Sequence, residues 1–480
     1  MPTRIIYYLL FLFLISDIGY SFLQHLNMPL YGDMAESILP ADDVKKIFND
    51  PLGLSVITKN EFHPNPNRFF GYLIFSEYFK TVPLAIQQFA SPIDSVYLSC
   101  ALAKIIIQEG IILLLAFYIS GGKNIFRKEF LISAVLIVPL FQTNGYKGYM
   151  GIIDPSITYT FFYALPCALL LLFFLSFFLE KYFIIKFPTN IIIKVLLFIL
   201  SIIMCYVGPL TPGIILIASL LFVISQISKH YREFVPTTSI HRVLSAVKRI
   251  PLHYLFFFVI CILSIYSLYI NKNNSYTAAA EVSTYQRYIR IPAGIYYLLT
   301  QKLGFPLLLA GACLNFFLIK KNNPASEAKK ILSLFKWIGL FIYFYIVLLP
   351  LGGYKEYRPN ILRYDTVIPI TLSLIFFYGL SALYLIKTLA GKNKILYLCF
   401  IVSFSLIFTI ADEPEFGKNL CERQGLQLLA VSKEKIVLIK NDCTMMRYEK
   451  IFTPDDSKLN CRLFKYWRII KEDKLYYQEK

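Results

Sequence analysis

The chain contains no Cys-x-x-Cys pair, no cysteines and histidines at zinc-ligand spacing, and only five histidines in 480 residues. Zinc modules and thioredoxin-like redox motifs therefore have nothing to rest on. No internal repeat is visible, which weighs against an inverted-repeat transporter. No small-residue cleavage site follows the first apolar stretch, "RIIYYLLFLFLISDIGYSF", so it reads as a retained anchor and not as a cleaved signal. Acids are scarce, with 30 Asp and Glu against 48 Lys and Arg and a formal net charge of +18. The excess is scattered through short loops, among them 121–129, 180–187, 229–249, 320–330 and 387–394, and no single basic patch forms. That distribution follows the positive-inside rule and argues for no nucleic-acid partner.

Apolar residues are abundant. Hydrophobic side chains make up 57% of the chain and aromatics 16%, and mean hydropathy is +0.58. Such values belong to a membrane protein, since about 20 apolar residues are needed for each bilayer crossing. The expected fold is an all-α polytopic membrane protein with about 11 transmembrane helices (10–12), near 5–24, 95–119, 129–142, 157–180, 189–207, 211–228, 251–270, 303–319, 331–351, 366–388 and 394–411. The 129–142 segment is short, and "GPLTPG" at 208–213 supplies a turn between two closely spaced segments. With a cytoplasmic N-terminus, the basic loops share one face and three larger loops, 25–94, 271–302 and 352–365, lie outside. Enrichment in Lys, Ile, Phe, Tyr and Asn points to an AT-rich bacterial genome and hence to a bacterial inner membrane.

The transmembrane domain is expected over 1–411 and a C-terminal extracytoplasmic appendage over 412–480. The first outer loop, 25–94, should carry interfacial helices: "ADDVKKIFNDPLGLSVI" (41–57) shows helical spacing broken at Pro51 and Gly53, and 67–90 is more apolar still. Alternating segments within 425–442 and 461–478 predict a small mixed or β-rich appendage, whose 14 Lys and Arg are weakly bound by the charge rule. Six cysteines sit in apolar segments and read as small core residues. Two of Cys421, Cys443 and Cys461 are free to pair on an oxidising side of the membrane.

Three outer-loop groups carry potential chemistry. In "LYGDMAESILP" (30–40), Asp33 and Glu36 share a helical face if a helix starts at 33, where they suit one metal ion or one acceptor hydroxyl. A plain capping box explains the same spacing. In "GGYKEYRPNILRYD" (352–365), Arg358 and Arg363 stand among Tyr357, Tyr364 and Asp365, against the usual charge bias of an outer loop. Guanidinium groups there suit a lipid-linked phosphate, or they pair with Glu356 and Asp365. In "STYQRYIRIPAGIYY" (283–297), Arg287 and Arg290 lie among tyrosines, which are common at membrane interfaces anyway. Asp154 and Lys147 are weaker candidates, His63 is a lone loop histidine, and neighbouring Arg68 is placed to reach a phosphate or an acidic residue. Glu109 is the one clear acid within an apolar segment.

A membrane helix, a long first outer loop opening on an acid, about ten further spans and an outer appendage together resemble the GT-C superfamily of polyprenyl-phosphate-sugar-dependent glycosyltransferases. In residues the likeness rests on "GDMAES" (32–37) and on the Arg/Tyr loop 354–365. Met34 follows Asp33 where the family commonly has a second acid. The resemblance implies Asp33 as catalytic base or metal contact with Glu36 second, and Arg358 or Arg363 on the donor phosphate. It further implies a divalent cation, Mg or Mn, held in part by Asp33, and as partners membrane lipids, a lipid-linked sugar donor and a glycan, lipid or protein acceptor. Two other functions remain open: a polysaccharide polymerase or ligase, and a lipid-linked oligosaccharide transporter or flippase.

Overall fold

Runs of apolar residues longer than a bilayer is thick become long helices, because helix formation satisfies every backbone polar group internally. A computed structural model describes residues 3–479 apart from 41, 123, 144–149, 189, 232–244, 246, 251, 279–281, 323–324, 353–357 and 359. The chain is mostly helical, and it is a multi-pass membrane protein. Among the described residues nine helices are long and apolar enough to cross a bilayer: Arg4–Leu26, Pro92–Ser120, Ile157–Phe183, Thr211–Ser228, Phe256–Asn273, Gly304–Lys321, Ser326–Gly352, Ile368–Thr388 and Gly391–Ala411. The two remaining expected spans are shorter helices. Lys128–Ile137 stops at a 3-10 turn containing Pro139, and Ile191–Cys205 has 15 residues, about 22 Å at 1.5 Å per residue.

Ile368–Thr388 is the most enclosed helix. It packs against Gly304–Asn322, Pro92–Ser120 and Lys128–Ile137, and its Phe377, Tyr378 and Ile375 are fully buried. Thr3–Leu26 lies at the periphery, against Pro92–Ser120 and Lys128–Ile137, and Tyr8, Leu9 and Leu12 on it are exposed. Lipid is their natural solvent.

The first loop folds into four helices, Met34–Ile38, Asp42–Asn49, Leu54–Thr58 and Phe69–Ile86. The break between the second and third falls at Pro51–Gly53, where Gly53 takes φ +66. Phe69–Ile86 packs on Pro92–Ser120 and buries Phe75 and Phe79. Gly71 allows this helix to meet the chain after Ile191–Cys205, since a Cβ there would stand 2.3 Å from the Val207 carbonyl oxygen. His63 bolts the loop down: it is buried, its Nε2 lies 2.6 Å from the Ser55 hydroxyl, and the same hydroxyl donates to Asp50 at 2.7 Å. The serine stands between the other two, so its proton goes to the carboxylate and the imidazole does not act on it as a base.

The appendage is mixed, not β-rich. It holds helices Leu420–Val431 and Lys458–Tyr466 and two four-residue strands, Ile436–Ile439 and Leu475–Gln478, paired in parallel. Cys421 and Cys443 form a disulfide, while Cys461 is free and buried. Trp467 is fully buried and donates its indole N–H to the Phe79 carbonyl at 2.9 Å, which ties the appendage to the first loop.

Candidate functional site

A cavity of about 1290 Å³ opens between the first loop, the start of Ile157–Phe183, the residues around 209–217 and 265–276, and a wall that includes Leu349, Arg358 and Thr366. Ordinary small-ligand sites occupy roughly 300–1,000 Å³, so this space suits something larger. Asp33, Glu36, Arg68, Arg287, Arg358 and Arg363 all line it. Asp365 stands behind the lining, 1% exposed. Arg290 is not among the lining residues, and Tyr357 and Lys147 fall outside the described residues.

The acidic wall comes from the turn after Thr3–Leu26. Gly32 adopts φ +47 and hands the chain to Asp33, which occupies the N-cap position of Met34–Ile38. Its carboxylate makes no capping hydrogen bond to that helix. Capping therefore does not account for this acid. Glu36, in the first turn, is also exposed, while Met34, Ala35, Ser37 and Ile38 are buried and hold the short helix in place.

The cationic wall is built from several segments. Arg363 meets Asp365 in a forked pair, Nε to Oδ1 at 2.5 Å and Nη2 to Oδ2 at 2.7 Å. Arg358 reaches the same Oδ2 at 3.3 Å and donates to the Tyr159 hydroxyl at 2.9 Å. Burial pushes the Asp365 carboxyl up to about 6, against the pull of Arg358 and of hydrogen bonds from the Thr366 N–H and the Tyr163 hydroxyl. In these ion pairs one carboxylate serves two guanidinium groups. Arg287 donates to the carbonyl oxygens of Val282 and Pro350 at 3.1 and 3.2 Å.

Arg68 differs from these. It forms no ion pair among the described residues, and its Nε is buried without a hydrogen-bond partner. Next to it Asn67, 1% exposed, leaves both side-chain amide atoms unpaired. Buried polar atoms are rarely left this way, and each one calls for a water, an ion or a ligand. Arg68 is also the N-cap residue of the 18-residue helix Phe69–Ile86, whose end carries partial positive charge.

Several lining residues stand outside the candidate motifs of the sequence. Lys272 borders the cavity with its ammonium 4.3 Å from the Tyr269 ring centre. Tyr159 and Tyr163 stack at 5.5 Å where the helix makes a π turn over Thr160–Ala164, a distortion frequent at functional sites. Tyr448 arrives from the appendage. Among lining residues, Lys272 is a cation in an expected outer loop, the same signal that singles out Arg358 and Arg363. The tyrosines are invisible among 35 in the chain. Leu210, Leu216, Ile217, Ile265 and Leu268 form an apolar side to the same space. Among the described residues no group of three His, Cys, Asp or Glu gathers to hold a metal ion. No protein-family model, curated protein sequence or solved structure matches the chain.

Proposed function

We propose that the chain is a GT-C-like inverting glycosyltransferase that moves a sugar from a polyprenyl-phosphate donor to a hydroxyl of a glycan, lipid or protein acceptor. One observation carries the reading: Asp33 and Glu36 share a single large cavity with Arg68, Arg287, Arg358 and Arg363. Acids and cations from distant parts of the chain serve no folding purpose by meeting across an open space, whereas an acceptor hydroxyl and a donor phosphate require that pairing.

In this mechanism the donor's lipid lies along the apolar side formed by Leu210, Ile217 and Ile265. Arg68 takes the phosphate, because its hydrogen-bonding capacity is unspent, and Arg358 and Arg363 supply the surrounding positive field. Asp33 removes the acceptor proton as the acceptor oxygen attacks the anomeric carbon from the face opposite the phosphate. The carbon–oxygen bond to phosphate breaks, the lipid phosphate departs, and the anomeric configuration inverts. Mg or Mn, if used, would have Asp33 and Glu36 as protein ligands and fill its shell from water and the donor phosphate; no step here passes through it. The topology that goes with this reading is about 11 spans, with Lys128–Leu140 and Ile191–Cys205 completing the set, in a bacterial inner membrane. The N-terminus is cytoplasmic and the appendage extracytoplasmic, on the side where a Cys421–Cys443 disulfide persists.

A lipid-linked oligosaccharide flippase is the second reading, favoured by Glu109 and Asp17. These lie within electrostatic reach of each other on adjacent apolar helices, and each has a buried carboxylate oxygen without a partner. Asp33→Asn separates the two. A transferase loses roughly 100-fold or more of its transfer rate with the general base gone while the protein inserts and folds normally; a flippase keeps its rate. Envelope glycan formation measured by mass spectrometry in a complemented deletion strain reads the outcome, and an unchanged yield removes the transferase assignment.

A further inference from the structure

The acidic wall is not closed by the membrane helices alone. Gly32 has a positive φ that favours glycine, and the Tyr448 ring lies so close that a Cβ at Gly32 would stand 2.1 Å from two of its carbons. Tyr448 follows the Ile436–Ile439 strand, at the far end of the chain. Its hydroxyl hydrogen-bonds with the side chains of Ser156 and Thr158. About half of its side chain stays open, 51% exposed, and it borders the cavity beside Asp33. The appendage therefore reaches over the first loop and puts an aromatic ring next to the candidate base.

A single carboxylate sets this contact from both sides. Glu422 is 1% exposed. One of its oxygens accepts the Leu30 N–H at 2.7 Å and the Tyr97 hydroxyl at 2.8 Å, and the other accepts the Met446 N–H at 2.7 Å. Leu30 and Met446 each stand two residues before a member of the Gly32–Tyr448 contact. Both oxygens accept an N–H, in the carboxylate or in the acid with its proton turned to the Tyr97 hydroxyl, whereas an amide would turn a donor toward one of those N–H groups. The Cys421–Cys443 disulfide joins the residue beside Glu422 to the loop that carries Tyr448, and Asn419 donates to the carbonyl oxygens of Leu26 and Met28.

We propose that Tyr448 contacts the acceptor beside Asp33 and that Glu422 is the positioning residue that holds it there, which makes the appendage a working part of the transfer site. The proposal rests on the transferase reading. Its acceptor is a sugar-bearing molecule, which presents a C–H face to the ring and hydroxyls to Asp33 and to the edge of the Ser156–Thr158 pair. Arg68 enters the cavity from the start of Phe69–Ile86, a different element from the one that carries Tyr448, so the ring is assigned to the acceptor and donor binding to Arg68.

The test uses full-length Tyr448→Ala, Tyr448→Phe, Glu422→Gln and Asp33→Asn with two readouts. Envelope glycan yield is measured by mass spectrometry in the complemented deletion strain, and undecaprenyl phosphate binding is measured on the purified protein in nanodiscs. Expected for Tyr448→Ala is a fall in yield of roughly tenfold, the size of one aromatic contact, with undecaprenyl phosphate affinity unchanged and Tyr448→Phe restoring most of the yield. Glu422→Gln should lower yield at unchanged donor affinity. Wild-type yield from Tyr448→Ala alongside a null Asp33→Asn overturns this inference and leaves the transferase reading standing. Loss of undecaprenyl phosphate binding in Tyr448→Ala also overturns it, because the ring would then be a structural prop. Wild-type yield from Asp33→Asn overturns both.

Discussion

The two charged walls of the cavity are held in opposite ways. The cationic wall around 358–366 largely holds itself: Arg358 and Arg363 converge on Asp365 within one short segment, and Thr366 closes the turn by donating to the Ile361 carbonyl. The acidic wall is held from outside, through Leu30 on Glu422 and Gly32 against Tyr448, both contacts supplied by the appendage. Self-held charge is pre-organised and partly offset, and suits a constant electrostatic field. The comparison also sets Arg68 apart from Arg358 and Arg363. The two arginines most conspicuous in the sequence already share a counter-ion, and the third, which lacks one, is better placed to take a ligand.

The comparison can be broken at the cationic wall first. Asp365→Asn leaves two enclosed guanidinium groups without their carboxylate, and removing one member of a buried pair costs about 3–5 kcal/mol. A thermal unfolding scan of the purified protein should show that loss, and a midpoint within a degree of wild type would mean that the wall does not depend on Asp365.

The acidic wall is tested through pH. Burial raises the Glu422 carboxyl from 4.5 to about 7, against hydrogen bonds from Leu30, Met446 and Tyr97. The native state then binds the proton more tightly than the unfolded chain, so Glu422 contributes most below about 4.5 and its contribution declines as pH rises from there to about 7. Appendage docking, followed by hydrogen exchange at Leu30 and Met446, should weaken over that window and level off above it. Glu422→Gln should flatten the profile. A profile as steep in the variant as in wild type would assign the dependence to another group.

Arg68→Gln gives the smallest effect. A charge-assisted hydrogen bond contributes about 1.5–3 kcal/mol, so undecaprenyl phosphate affinity should fall roughly 10- to 100-fold with the unfolding midpoint unchanged. If Arg363→Gln weakens binding more than Arg68→Gln does, the roles assigned to these two arginines are reversed.

Much of the membrane architecture was readable from run length. Nine of the expected segments are long helices, because about 20 apolar residues leave little alternative. Within the first loop, Pro51 and Gly53 marked the break between Asp42–Asn49 and Leu54–Thr58. The tail was harder. Its 425–442 stretch alternates on paper, yet Leu426 and Leu429 are buried at helical spacing and only Ile436–Ile439 becomes a strand. Its parallel partner is Leu475–Gln478, a pairing that local pattern does not encode. In the site, charges that ran against the topology bias singled out Arg358 and Arg363, and a cluster of tyrosines singled out Arg287. Asp365 was named as their counter-ion in the plainer alternative. Tyr448 and Glu422 were not legible, since each acts through residues hundreds of positions away.

The Leu30–Glu422 hydrogen bond spans 392 positions, nearly the whole chain. Residue 30 leaves the ribosome long before residue 422, so the candidate base is exposed before the segment that fixes its surroundings has been made. The cavity is thus finished only after Gly391–Ala411 has been made and the appendage that follows it has joined the first loop. A chain released before Tyr448 would keep its membrane helices and its arginines and lack a completed acidic wall, so on the transferase reading shortened products would be inert and not partly active.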